Sequence, residues 1–206
     1  MVRRKRSRRW FSQHRSDEFV RQSWNSGYRS RAVFKLLEID QHDRLLQRGG
    51  TVVDLGASPG GWSQLAAARV SPNGRVVALD VLPMEPVSGV EFLLGDISVA
   101  SVQETLVEKV GARAAGLVLS DMAPNLSGIS AIDQPRVIAL AELVLVLCER
   151  ILAPGGGLLI KVFQGEGYQA YLEQLRDAFR TVSVRKPRAS RAQSREVFLL
   201  GQFYRW

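Results

Sequence analysis

Short apolar runs alternate along this chain with longer stretches whose apolar residues recur at helical spacing. The pattern predicts strands over 51–55, 75–80, 90–94, 115–121, 157–163, 181–186 and 195–203. Helices are predicted over about 62–70, 99–110, 133–152 and 168–179. One more, capped by Ser30 and running through Ile39, precedes the first strand and carries Lys35. Runs such as Gly116-Leu117-Val118-Leu119-Ser120 and Leu158-Leu159-Ile160 lack polar alternation, as strands do when both faces are covered. That points to an α/β fold, a mostly parallel sheet with helices on both faces. The last two strands follow one another with no helix between them, so they pair antiparallel and the final strand is reversed. Pro154-Gly155-Gly156-Gly157 reads as a helix stop and a turn into the next strand. No internal repeat or long linker divides the chain.

The most informative segment is TVVDLGASPGGW, Thr51 to Trp62, a β-branched strand entering a glycine-rich turn and then a helix. Gly56, Gly60 and Gly61 let the backbone turn sharply and approach a ligand that a Cβ would exclude. The helix that follows aims its free N–H groups at the same place. The spacing is G-x-x-x-G-G, not the G-x-G-x-x-G of a pyrophosphate clamp, and no Gly-Lys-Ser/Thr ending marks a phosphate loop. Gly56-Ala57-Ser58-Pro59-Gly60 has the form of a nucleophile elbow, but the oxyanion hole there needs an N–H after the serine and Pro59 has none. Both histidines, His14 and His42, also come before that serine, the reverse of the hydrolase order.

What remains is a site for an adenosyl ligand without phosphates, which points to S-adenosylmethionine. Asp80 ends the second strand, where doubly wound sheets place an acid on ribose hydroxyls. Asp96 follows the next apolar run, where it can face the adenine amine.

At 206 residues, 46% hydrophobic, the chain is long enough for one well-buried domain. Its single cysteine, Cys148, lies in an apolar run and reads as a core thiol, which excludes a disulfide framework and fits a cytoplasmic protein. With two histidines and one cysteine no metal cluster is expected, and no apolar run is long enough for a membrane span. The net charge of +8 calls for a polyanionic partner. Arg3, Arg4, Lys5, Arg6, Arg8 and Arg9 form one basic block, with Trp10 and Phe11 behind it and no signal-peptide core after it. Arg185, Lys186, Arg188, Arg191 and Arg195 form a second. Basic clusters interleaved with aromatics favour RNA. Residues 1–29 are expected to be a partly flexible, RNA-contacting extension of a single domain over 30–206, in a monomer.

Polar groups at strand ends then stand out. Asp121 closes one strand, Lys161 lies near the end of another after Leu and Ile, and Glu196 shares a strand face with Phe198 and Leu200. An ammonium or carboxylate on an apolar face needs a partner or a chemical role. YRSRAVFKL, VVDLGASPGGWSQ, LDVLPM, GVEFLLGDI, SDMAPNLSG, IKVFQGEGY and KPRASRAQSREVFLL resemble, in order and spacing, the FtsJ family of ribosomal RNA large subunit 2′-O-ribose methyltransferases. The likeness runs from about residue 10 to the C-terminus. Ser58 stands where alanine is usual and Ile97 where an aromatic is common.

The resemblance implies a Rossmann-like, class I S-adenosylmethionine-dependent methyltransferase fold with seven strands. It implies a catalytic tetrad of Lys35, Asp121, Lys161 and Glu196, with Lys161 as proton acceptor, and cofactor contacts at Gly60, Trp62, Asp80, Asp96 and Asp121. The expected reaction is methylation of a uridine ribose in 23S rRNA, within the large ribosomal subunit. Two alternatives stand beside it. One is a 2′-O-methyltransferase of tRNA or of an mRNA cap, the other a non-catalytic rRNA-binding assembly factor.

Overall fold

The structure, a computed structural model, describes residues 18–191 and 193–206, so the basic block at Arg3–Arg9 lies outside the described residues. Seven strands form one sheet: β1 (Thr51–Leu55), β2 (Arg75–Asp80), β3 (Val90–Leu94), β4 (Ala115–Ser120), β5 (Leu152–Phe163), β6 (Phe179–Arg185) and β7 (Glu196–Tyr204). Their order is β3-β2-β1-β4-β5-β7-β6. Pairing is parallel from β3 through β5, and β7 runs antiparallel to both β5 and β6, as the missing helix between the last two strands requires.

Side-chain alternation divides the core in two. On one face, Val52, Val76, Leu117, Leu119, Leu159, Phe198 and Leu200 pack under α2 (Val33–Asp43) and α3 (Gly61–Val70). On the other, Val53, Val77, Val118, Leu158, Ile160 and Leu199 pack under α4 (Ala100–Val110), α5 (Ser130–Ile151) and α6 (Tyr168–Ala178). Side chains such as Leu36, Leu119 and Leu158 are wholly removed from water, each contributing about 1.5–3 kcal/mol of transfer free energy. Cys148 is among them, and burial pushes its thiol well above the usual range.

A short helix, α1 (Glu18–Asn25), precedes these elements. It buries Val20, and the rings of Phe19 and Tyr28 stand 5.7 and 6.2 Å from that of Phe34, so residues 18–28 lie against α2. Several element ends differ from the sequence-based expectation. Ser30 gives no side-chain cap: its carbonyl accepts the N–H of Val33 at 3.3 Å in a turn, and α2 starts at Val33. The helix continues past Ile39 to Asp43, closed by Arg44 in the left-handed region (φ 52°) with its N–H on Asp40 O. Pro154-Gly155-Gly156 does turn, but as a bulge inside β5: Ala115 pairs with Leu152 and Leu117 already with Gly157.

Candidate active site

Lys35, Asp121, Lys161 and Glu196 meet at one corner because strand parity and strand polarity agree. Asp121 continues the face of Leu117 and Leu119, Lys161 that of Leu159, and Glu196 that of Phe198 and Leu200. All three therefore point to the α2/α3 side. Because β7 is antiparallel, its first residue lies beside the last residue of β5, and Phe163 pairs with Glu196. α2 supplies Lys35 to the same corner.

The four form two ion pairs. Lys35 Nζ lies 2.8 Å from Glu196 Oε1, and Lys161 Nζ lies 2.8 Å from Asp121 Oδ1, with side chains only 10–18% exposed. Lys161 also donates to the main-chain carbonyl of Asp121. Asp121 Oδ1 is buried and receives no hydrogen bond of proper geometry among the described residues, so the 2.8 Å contact to Lys161 acts on it through charge. Ser190 Oγ donates to Glu196 Oε1 at 2.7 Å. Burial pushes the Glu196 carboxyl up, but the Lys35 charge and hydrogen bond, the Ser190 hydroxyl and the Lys161 charge outweigh it and hold the carboxyl below its usual range. A cavity of about 290 Å³ opens beside these groups, lined by Arg31, Lys35, Ala189, Arg191, Ser194 and Glu196.

The acids expected to hold a cofactor line the same sheet edge. Asp80 Oδ2 accepts the N–H of Ser58 and Oδ1 that of Leu82, both at 2.8 Å, which ties the β1 turn to the β2 end. Asp96 takes the N–H and hydroxyl of Ser98 on Oδ1 alone, at 2.8 and 2.7 Å, and these bonds hold its carboxyl below its usual range. Gly60 is in a positive-φ conformation (109°), and a Cβ there would press within 3.0–3.2 Å of Met84, Val87 and Arg29. The Trp62 side chain is 3% exposed: its indole N–H donates to Ala32 O at 2.7 Å and its ring packs 5.8 Å from that of Phe198. It joins α3 to the turn before α2 and to β7, against the Phe198 ring over which Lys35 lies.

These residues fall within a known pattern. A sequence model of the family described as FtsJ-like methyltransferase matches residues 28–204. The chain belongs to the FtsJ-like methyltransferase family. It is 53% identical over 198 residues to the ribosomal RNA large subunit methyltransferase E of Chromohalobacter salexigens, covering 96% of this chain and 94% of the relative. Among solved structures, it is similar to a protein assigned as a ribosomal RNA methyltransferase from Plasmodium falciparum. The TM-score is 0.78 at 26% identity, over 86% of this chain and 98% of that one. A protein assigned as an rRNA methylase from Clostridium thermocellum shares the fold, with a TM-score of 0.56 at 17% identity over 82% and 96% of the two chains. The seven-stranded sheet with its reversed strand is thus the Rossmann-like methyltransferase fold.

Two groups in this FtsJ-like site were not among the residues that the sequence singled out. Asp54 is wholly buried in β1, its Oδ2 accepting the Ser63 hydroxyl at 2.6 Å and its Oδ1 without a partner among the described residues. Burial is the main reason its carboxyl is pushed up to about 7; Ser63 works against that, and the nearby Asp121 and Asp80 charges add to it. An acid inside a β-branched run is a signal that the sequence does carry. Arg29 donates to Pro59 O at 3.3 Å and to Pro86 O at 2.6 Å, bridging the loops that leave β1 and β2. Its targets are main-chain carbonyls, which no residue type betrays.

Proposed function

We propose that this methyltransferase carries a methyl group from S-adenosylmethionine to the ribose 2′-OH of a uridine in the 23S rRNA of the large ribosomal subunit. The observation that carries the reading is the pair of lysine–carboxylate bridges in one corner, which suits a hydroxyl. A base methyltransferase needs an aromatic to stack the extruded base and polar groups to read its edge. Met122-Ala123-Pro124-Asn125 follows Asp121 instead. The name of the Chromohalobacter relative supports the large-subunit substrate.

The residues present fit the cofactor. When bound, S-adenosylmethionine supplies an electrophilic methyl group on a positively charged sulfur. Asp80 and Asp96 keep lone pairs for the ribose and the adenine amine, Gly60 supplies the positive-φ turn from which α3 starts, and the first-turn N–H of Trp62 has no intrahelical acceptor. Asp121, its buried Oδ1 held against Lys161, is the acid that would lie between the two ligands. Lys161 is oriented by Asp121 to align the hydroxyl as an ammonium, and to take its proton only when the amine is neutral. Lys35, fixed by Glu196, adds a second cation for the developing alkoxide and for RNA phosphate. Base assistance supplies about 10²–10⁴ in rate, and holding the hydroxyl in line supplies more.

Labelled methyl transfer to large subunits, free 23S rRNA, tRNA and capped RNA tests the reading. Label on a 2′-O-methyluridine from the large subunit is expected. Label on a base, or transfer to a substrate with 2′-deoxyribose at the target, would overturn it.

A further inference from the structure

We infer that the first turn of α5 is a brace that sets three of the four catalytic segments relative to one another, with Gln134 a positioning residue for Lys161. The inference rests on the reading of Lys161 as a catalytic group.

The turn reaches each segment through a different side chain. Asp133 gathers the loop that leaves Asp121: Oδ1 accepts the N–H and hydroxyl of Ser127 at 2.7 and 2.8 Å, and Oδ2 accepts the N–H of Gly128 at 2.8 Å. Gln134, 3% exposed, donates from Nε2 to Phe163 O at 2.7 Å, at the end of the strand that carries Lys161. Ser130 Oγ accepts from Arg195, the residue before Glu196, at 3.0 Å.

The sheet shows why β5 needs this help. Its pairing with β4 stops at Ser120 and Ile160, whereas its pairing with β7 continues to Phe163 and Glu196. Lys161, Val162 and Phe163 therefore overhang the β4 edge and are held by the ladder on one side only. The Gln134 bond falls on that overhang. Its amide carbon lies 2.8 Å from where a Cβ of Gly165 would be, so the same side chain also packs against the turn that follows. Freed of Gln134, the end of β5 keeps one ladder and Lys161 loses its register against Asp121.

Gln134→Met keeps the side-chain length and removes the donor. On unmodified large ribosomal subunits, kcat per cofactor-binding molecule should fall about ten- to a hundredfold, the cost of a misplacement near 1 Å. The KM for S-adenosylmethionine should stay at the wild-type value, and the pH profile of kcat should be displaced. Wild-type kcat and pH profile in this variant would overturn the assignment, as would a loss of cofactor affinity that parallels the loss of activity. If Gln134→Met does not unfold cooperatively, Ser130→Ala decides, since it cuts only the Arg195 tether on an exposed side chain. A lower kcat at unchanged cofactor KM supports the brace there, and unchanged kcat overturns it. A wild-type protein inactive on these subunits overturns the functional reading itself, and this assignment with it.

Discussion

Lys35 stands 2.8 Å from Glu196 and 5.5 Å above the ring of Phe198, two positions along the same face of β7. The ring meets Trp62 on the α3 side at a tilt of 41°, so the ammonium rests on a backed aromatic ring and is anchored by a carboxylate. Cation–π contact of this kind contributes about 0.5–2 kcal/mol, which at a partly buried site offsets part of the desolvation cost. A lysine that would be a solvated side chain on most helices is here fixed in place.

Replacing Lys161 by Ala is expected to abolish methyl transfer and leave cofactor affinity within about threefold, since a tenfold change, about 1.4 kcal/mol, would require a direct bond from Lys161 to the cofactor. Calorimetric titration with S-adenosylmethionine checks this. Affinity that falls together with activity would move Lys161 to the cofactor side.

Gly56→Ala should impair catalysis from the opposite direction. Gly56 has a φ of 80°, and a Cβ there would fall 2.7 Å from the Met122 side chain and 3.0 Å from the Met122 nitrogen. The added methyl pushes the chain next to Asp121 and strains the turn, at a cost of about 1–3 kcal/mol. Both the melting temperature and kcat are expected to fall. A variant with wild-type values of both would show that the loop moves freely.

Asp54→Asn carries a pH signature. In the folded protein the carboxyl titrates near 7, against about 3.9 unfolded, and both states hold the proton below about pH 4. Between those values only the unfolded state ionises, so wild-type stability falls as pH rises through the window and levels off above about 7. Asparagine cannot ionise. Without cofactor, the stability of Asp54→Asn relative to wild type should therefore rise from pH 5 to pH 8, by about 2.6 kcal/mol, the two pH units below the folded value at about 1.36 kcal/mol each. A difference in melting temperature that does not change with pH would count against a neutral Asp54.

Deleting residues 1–9, which lie outside the described residues, should weaken RNA binding and flatten its salt dependence. Each phosphate that the shortened chain no longer neutralises lowers the slope of log K against log salt by about 0.9 on a duplex, or about 0.7 on a single strand. An unaltered slope in filter binding would mean that these basic residues do not touch RNA.

The strands and the tetrad were legible for one physical reason. A period of two places Leu117, Leu119 and Asp121, or Glu196, Phe198 and Leu200, on one face, and that pattern is written in the residues. Ends of elements were harder. α5 starts at Ser130 rather than near 133, where Asp133 collects the preceding N–H groups through a contact that periodicity does not record. The start of β5 was hidden because its bulge uses Pro154 and Gly155, the same residues that end strands elsewhere. Gln134 and Arg29 act on main-chain carbonyls, so nothing in the sequence of their targets points back to them. Asp54 stands in plain view as an acid in a β-branched run, but its raised carboxyl comes from complete burial, which no residue type records.

The Lys35–Glu196 corner, proposed as catalytic, joins α2, ahead of the first strand, to β7, the last. Local pairings form early in folding, and contacts between distant parts of a chain form against the entropy of the loop they close. The glycine turn and its acids belong to the first half of the chain and can assemble with β1 to β4. The Lys35–Glu196 pair waits for the two ends to meet. Turnover in this enzyme is thus expected to report on completed folding, because the residues proposed for the methyl donor all precede β5 while the proposed tetrad needs the last strand.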